Sequence, residues 1–209
     1  MFDTYYKRYD EWYEKPFGKS AYKLELDCIK KILNSFNLGL EVGVGTGRFA
    51  SGINIKYGID ISFNMLKLAK ERYIKVVKAK AENLPFKNNS FDLVLIVVSI
   101  CFIKYPFLAL KEAYRVLRNG GRVVLGLILS DSPWADYYKR KREHPIYKIA
   151  TFYSYYEVVS MLELSGFRIL RVLSTLFEKP QEEKPIENLE IREGYYKEAG
   201  FTCIEALKL

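Results

Sequence analysis

The sequence predicts an α/β protein: a doubly wound, mostly parallel sheet of seven strands with helices on both faces, preceded by a helical N-terminal segment. Three observations predict it. Short apolar runs alternate with amphipathic helical segments between Leu38 and Leu129, the pattern of repeated strand–helix units. The first run, with Leu38, Leu40, Val42 and Val44, ends in a bend that carries glycine at every second position, Gly43, Gly45 and Gly47, just ahead of a helical segment. Phe91 to Val98 is almost wholly apolar, as a central strand buried on both faces is. A chain of 209 residues suits one domain. Within it, 1–36 forms the helical N-terminal part, 37–129 the glycine-containing half, 130–153 an insertion, and 154–209 a C-terminal helix and strands.

Each element has its own signature. Between Phe2 and Phe17 the aromatics at 2, 5, 6, 9 and 13 follow the i, i+3, i+4, i+7, i+11 spacing of one helix face. A second helix is expected over Ala21 to Asn34, with Ala21, Leu24, Cys28, Ile29 and Ile32 inward. After the bend, a short helix begins over Arg48 to Ser51, soon checked by Gly52 and Asn54. Lys56 to Ile61 is the second strand; Ser62 caps the next helix, whose Met65, Leu68 and Ala69 face the sheet. Val76 to Ala79 and Phe91 to Val98 are the third and fourth strands. Pro106 opens a helix with Leu110, Ala113, Tyr114 and Leu117 in register, which Asn119-Gly120-Gly121 ends before the fifth strand, Arg122 to Leu129. The pattern breaks from Ser130 to Phe152. Ser154 and Glu157 form a capping box for a helix to Ser165; Gly166 to Leu176 is the sixth strand, Phe177 to Asn188 a loop, and Phe201 to Leu209 the seventh strand.

The glycine bend carries the chemistry. Glycine supplies positive φ and lacks the Cβ that holds a ligand away, and the helix that follows starts with free N–H groups. The dinucleotide pattern G-x-G-x-x-G fails, because counting from Gly43 its third glycine falls on Arg48, and no Gly-Lys-Ser/Thr ending makes a P-loop. Two carboxylates remain, Glu41 just before the glycines and Asp60 at the tip of the second strand. Asp60 is placed to accept both hydroxyls of a ribose, and Glu41 to attract an ammonium, directly or through water. An adenosine with an amino-acid tail in place of phosphates meets these demands.

The run Glu41 to Gly47 resembles motif I of the class I S-adenosylmethionine-dependent methyltransferases, and Asp60 resembles their ribose-binding acid. The resemblance continues in order through Ala81-Glu82-Asn83-Leu84-Pro85-Phe86, Ser90-Phe91-Asp92-Leu93-Val94 and Glu112-Ala113-Tyr114-Arg115-Val116-Leu117-Arg118-Asn119-Gly120-Gly121. It covers roughly Leu38 to Leu129 and lies nearest the small-molecule branch that includes the quinone-biosynthesis enzymes. It implies a Rossmann-like fold, S-adenosylmethionine as cofactor, S-adenosylhomocysteine as product, and cofactor contacts from Glu41, Gly43, Gly45, Gly47 and Asp60, with Ala81 and Glu82 beside the adenine. Lys80 departs from the pattern, since the family often carries an acid or hydroxyl there; the adenine amino contact passes to Glu82 or to backbone. Ile61 and Met65 are placed to sandwich the adenine, and Val98, Ser99 and Ile100 to line the space around the reactive methyl. The N-terminal aromatic face either packs onto the domain or, as the resemblance supports, forms a lid over the pocket, and 130–153, which follows a strand on the ligand-binding edge, can form a substrate wall.

Methyl transfer from a sulfonium is an in-line displacement, so alignment and exclusion of water carry most of it, and a base is needed only if the acceptor must lose a proton. His144, Tyr9 and Tyr13 are the candidates for that role. The leading expectation is a methyltransferase acting on a small aromatic or amine-bearing acceptor. An RNA or protein methyltransferase that uses the basic run Lys139-Arg140-Lys141-Arg142 is one alternative, a domain that binds the cofactor without catalysis another. The net charge of +8 admits an anionic partner, but a solvated helix face explains the basic run more simply. Asp92 lacks the Asn/Asp-Pro-Pro-aromatic tetrapeptide of the enzymes that methylate amino groups of bases. Three cysteines without C-x-x-C spacing and one histidine argue against a metal site, and Ser99-Ile100-Cys101-Phe102 lacks the Pro-Cys or Thr-Cys setting of a carbon-5 pyrimidine nucleophile. The longest apolar run, Leu93 to Ile103, is too short to span a bilayer, and the N-terminus lacks a signal-peptide core, so a cytoplasmic location is expected.

Overall fold

The computed structural model describes residues 2–141, 143, 145–181 and 184–209. Two helices, α1 (Phe2–Trp12) and α2 (Pro16–Ile32), precede β1 (Gly39–Val42), α3 (Arg48–Gly52), β2 (Tyr57–Asp60), α4 (Phe63–Glu71), β3 (Lys75–Lys78) and β4 (Phe91–Val97). A single 3₁₀ turn then leads to α5 (Pro106–Val116), β5 (Leu117–Leu127), α6 (Pro133–Arg140), α7 (Pro145–Lys148), α8 (Tyr155–Leu164), β6 (Phe167–Thr175), β7 (Ile191–Glu193) and β8 (Phe201–Lys208). Among the described residues the strands form one sheet in the order β3-β2-β1-β4-β5-β8-β6-β7. The pairs from β3 to β5 are parallel, and those of β8 with β5 and β6, and of β6 with β7, are antiparallel.

The doubly wound α/β expectation holds, with an eighth strand in place of seven. The added strand, β7, is a three-residue edge strand just past the expected loop, too short to show a period of two. The aromatic N-terminal run also divides, because α1 stops at Trp12 and Pro16 opens a new helix, α2, five residues before its expected start at Ala21. Strand β5 begins at Leu117, earlier than Arg122, and its register against β4 shifts between Phe91 and Leu93. The Gly120-Gly121 pair therefore sits in an irregular strand start instead of ending the helix.

Alternation along β4 makes the two cores. Leu93, Leu95 and Val97 point to the face covered by α2, α3, α4 and α6; Val94 and Ile96 point to the face covered by α5 and α8. The second face is filled by Ala109, Leu110, Ala113 and Val116 of α5 with Val158 and Leu162 of α8. Helix α8 starts on the expected Ser154–Glu157 capping box, and Ser62 caps α4 by accepting from the Met65 N–H. The three cysteines are free and buried. Among the described residues, no helix is long and apolar enough to cross a membrane.

Candidate functional site

The parallel strands deliver their carboxyl ends to one edge, and the glycine bend lies there between β1 and α3. Gly43 and Val44 both donate to the Ile59 carbonyl of β2, at 2.9 and 2.8 Å, which holds the bend against the neighbouring strand. Gly43, Gly45 and Gly47 all have positive φ, at 75°, 51° and 84°. A Cβ on Gly43 would come within 2.5 Å of Ser99 Oγ, whereas one on Gly45 would meet nothing within 4 Å. The bend is packed underneath and open above, as a ligand cradle must be.

Glu41 and Asp60 lie at this edge on adjacent strands. Asp60 is partly buried; its Oδ2 accepts from the Gly45 N–H at 2.9 Å and its Oδ1 from the Ser62 N–H at 2.8 Å. Burial raises its carboxyl above the usual range, against the backbone donors that lower it. Glu41 is fully buried, and its Oε2 has no hydrogen-bond partner among the described residues. Burial pushes its carboxyl well up, opposed by the Ala50 N–H and reinforced by the Asp60 charge. A buried carboxyl oxygen without a donor among the described residues can take a cation supplied from outside.

The other expected residues surround the same edge. Ile61 is half-exposed at the rim, Met65 and Ala81 are buried, and Glu82 accepts from the Tyr105 N–H at 3.3 Å. Val98 follows β4 in the left-handed region at φ 44°, a strained state for a β-branched residue. That turn brings the Ser99 hydroxyl within 3.0 Å of the Gly43 carbonyl, to which it donates. The Ala81–Phe86 segment is clamped from α5: Glu112 accepts from the Leu84 N–H, while Arg115 donates to the carbonyls of Leu84 and Phe86.

Helix α1 lies across this edge and is tied down at both ends. At one end Ser62 Oγ and the Asn64 N–H donate to Asp3, at 2.6 and 2.9 Å. At the other, Asp10 accepts from Thr46 Oγ1 at 2.6 Å, from Arg48 Nε and Nη2, and from Arg72 Nη2. Despite burial, those donors hold the Asp10 carboxyl down at about 2. Tyr9 and Tyr13 share a hydrogen bond of 2.9 Å, and burial raises both phenols, so they stay protonated near neutrality. His144 lies outside the described residues, as does Arg142 of the basic run. Of that run's other members, Lys139 is spent on the Ser130 carbonyl and Lys141 sits over the Tyr137 ring.

Two features escaped the sequence reading. Arg48, the first residue after the glycines, anchors α1; nothing in a linear sequence pairs it with Asp10. Glu25 lies buried on the inward face of α2 among Ala21, Leu24, Cys28 and Ile29. A charged residue four positions after Ala21 and four before Ile29, inside an apolar stripe, was the available signal.

Comparison with known proteins agrees with this geometry. Residues 40–125 match the family model described as a methyltransferase domain. The uncharacterized protein MJ1123 of Methanocaldococcus jannaschii is 40% identical over 210 residues, covering 100% of this chain and 99% of that protein. The ubiquinone/menaquinone biosynthesis C-methyltransferase UbiE of Rhizobium meliloti is 40% identical over a shorter stretch, 41% of this chain and 39% of that one. Among solved structures, a Thermotoga maritima protein described as a SAM-dependent methyltransferase, possible histamine N-methyltransferase, superimposes with a TM-score of 0.91 at 38% identity, over 100% of this chain and 98% of that one. With a full-length relative at this identity, the chain belongs to the S-adenosylmethionine-dependent methyltransferases of the class I, Rossmann-like fold.

Proposed function

We propose that the protein transfers the methyl group of S-adenosylmethionine to a small-molecule acceptor, bound at the edge that carries the glycine bend and that α1 roofs. The observation that carries this reading is the orphaned Glu41 Oε2, a buried acid on the strand that runs into the glycine bend, whose Gly45 is open above. Glu41 holds the ammonium of the cofactor's amino-acid tail and Asp60 the ribose hydroxyls, while Gly45 leaves the ligand side of the bend open and Gly43 and Gly47 let the bend pack against Ser99 and Ala69. Ile61 and Met65 flank the adenine, Ala81 and Glu82 border it, and Val98 and Ser99 border the sulfonium. When bound, the cofactor supplies an electrophilic methyl and a neutral thioether leaving group.

The chain's own part is alignment and exclusion of water. Tyr13, Tyr138 and Trp134 are buried, and Tyr138 packs on Tyr147 with ring centroids 4.8 Å apart, so rings seat α6 on the core beside α1. An edge roofed by α1 suits a small molecule better than a polymer, and the commitment of Lys139 and Lys141 to local partners supports the same choice. The test is label transfer from methyl-labelled cofactor into a metabolite extract. Label in a small-molecule fraction is expected; label confined to RNA or protein, or none at all, would reject the proposal.

A further inference from the structure

The edge opposite the glycine bend holds a cavity of about 390 Å³, at the amino ends of β1, β2 and β3. Lys56, Lys75, Asn37, Asn54, Tyr57 and Tyr73 line it, and among the described residues no acid does. Its volume is that of a small-ligand site. Residues 79–90 join β3 to β4 without a crossover helix, so no helix covers this face of the sheet edge, and Lys75 and Val77 are left exposed.

Two helices end at this cavity, each followed by a residue in the left-handed region, Asn54 after α3 at φ 63° and Tyr73 after α4 at φ 61°. The N–H groups of Asn54 and Ile55, and of Tyr73 and Ile74, donate to carbonyls of the last turns, which blunts the negative ends of both helices. Asparagine tolerates that backbone; tyrosine is strained in it, and glycine is the usual occupant. Tyr73 is also 87% exposed, so burial of its ring does not offset the strain. The second ring, Tyr57, is held in place edge-on to Phe91, and Lys75 Nζ lies 5.4 Å from its centroid.

Part of the chain's net charge of +8 stands unpaired here. Lys56 reaches only the Asn54 side-chain oxygen, at 3.5 Å, and among the described residues neither Lys56 nor Lys75 forms an ion pair. The Asp92 carboxylate beside the cavity is already committed, accepting from the Asn37 and Leu38 N–H groups at 2.9 and 2.8 Å. Two ammonium groups suit the nearly doubly charged phosphate of a monoester, and two ring faces suit a flat base. A simple carboxylate would leave the rings unused, and an apolar ligand the cations.

We propose that this cavity binds a nucleoside monophosphate, either free or as the phosphorylated terminal nucleotide of an RNA strand, with Lys56 and Lys75 on the phosphate and the base against Tyr57 and Tyr73. The site lies at the other end of the strands from the glycine bend and does not depend on the reading of that edge.

Calorimetry on the full-length protein tests it, with S-adenosylhomocysteine present at saturation so that the glycine-bend edge is filled. Uridine and guanosine 5′-monophosphates should bind at least about tenfold more tightly than uridine, guanosine or inorganic phosphate. Joint Lys56→Gln and Lys75→Gln substitution should weaken that binding by at least about tenfold. Tyr73→Gly should weaken it severalfold while melting at or above the wild-type temperature, since glycine suits the left-handed backbone; lost recognition is thereby separated from lost folding. A 5′-phosphorylated uridine hexanucleotide distinguishes the two sources: tighter binding than the mononucleotide assigns the site to an RNA end, equal or weaker binding to a free nucleotide. No binding of either monophosphate, nucleosides bound as tightly, or an unchanged affinity in the lysine variant or in Tyr73→Gly overturns the proposal.

Discussion

Arg48 donates from Nε and Nη2 to the two carboxylate oxygens of Asp10, at 2.8 and 2.9 Å, and so ties the first residue after the glycine bend to the helix that roofs it. Arg72 and Thr46 close on the same carboxylate, and the Thr46 carbonyl accepts from Arg72 Nη1 at 2.7 Å. Thr46, inside the glycine bend, and Arg48, just after it, therefore also latch its cover.

Loosening that latch should speed ligand exchange. Asp10→Ala removes the acceptor of two arginines and one hydroxyl; because the site keeps some solvent, the docking of α1 should weaken by only about 1 to 2 kcal/mol. Stopped-flow dissociation of S-adenosylhomocysteine should quicken by about tenfold with little change in thermal stability of the sheet. An unchanged off-rate would mean that α1 does not gate the site.

Gly45 and Gly43 should fail in different ways. Alanine at Gly45 meets no neighbour but takes a left-handed φ, costing about 1 to 2 kcal/mol of stability, and sets its methyl in the ligand's space. Alanine at Gly43 must displace Ser99, with a larger loss of stability. Calorimetry should thus show Gly45→Ala folded and unable to bind S-adenosylhomocysteine, and Gly43→Ala with the lower melting temperature of the two. Normal binding by Gly45→Ala would place the cofactor elsewhere.

Glu25 sets a pH signature on stability. Its folded value, about 8, lies above the ordinary 4.5, so the fold holds its proton more tightly than the unfolded chain does. The stability this confers is fully present below about 4.5 and is lost as pH rises through about 8, at up to about 1.4 kcal/mol per pH unit. Denaturation of wild type and Glu25→Gln across pH 5 to 9 should diverge by about 3 to 5 kcal/mol in favour of the variant at the alkaline end. Parallel curves would show that Glu25 is ionised and paired in the folded state.

Much of the sheet was legible because its signals are local. The apolar runs of β1 and β4, the Ser62 cap and the Ser154–Glu157 box each depend on neighbours within one turn or one strand, and each falls where the spacing predicted. Strand β7 was not legible, since three residues at a sheet edge carry no periodicity. The break between α1 and α2 could be read only from Pro16, against an aromatic stripe that continues past it. The glycines, Glu41 and Asp60 were legible because chemistry ties them to a contiguous bend and a strand tip. The Asp10 clasp with Arg48 and Arg72 and the burial of Glu25 depend on how α1 and α2 dock, which is tertiary information that no local window holds.

The account rests on Glu41 and Asp60 cradling one nucleoside with an amino-acid tail, and calorimetric titration of S-adenosylhomocysteine into wild type and Asp60→Ala addresses it most directly. Asp60 should contribute about 1 to 3 kcal/mol through charge-assisted hydrogen bonds, so the variant should bind roughly tenfold to a hundredfold more weakly. Equal affinities in the two proteins, or no binding to the wild type, would contradict it.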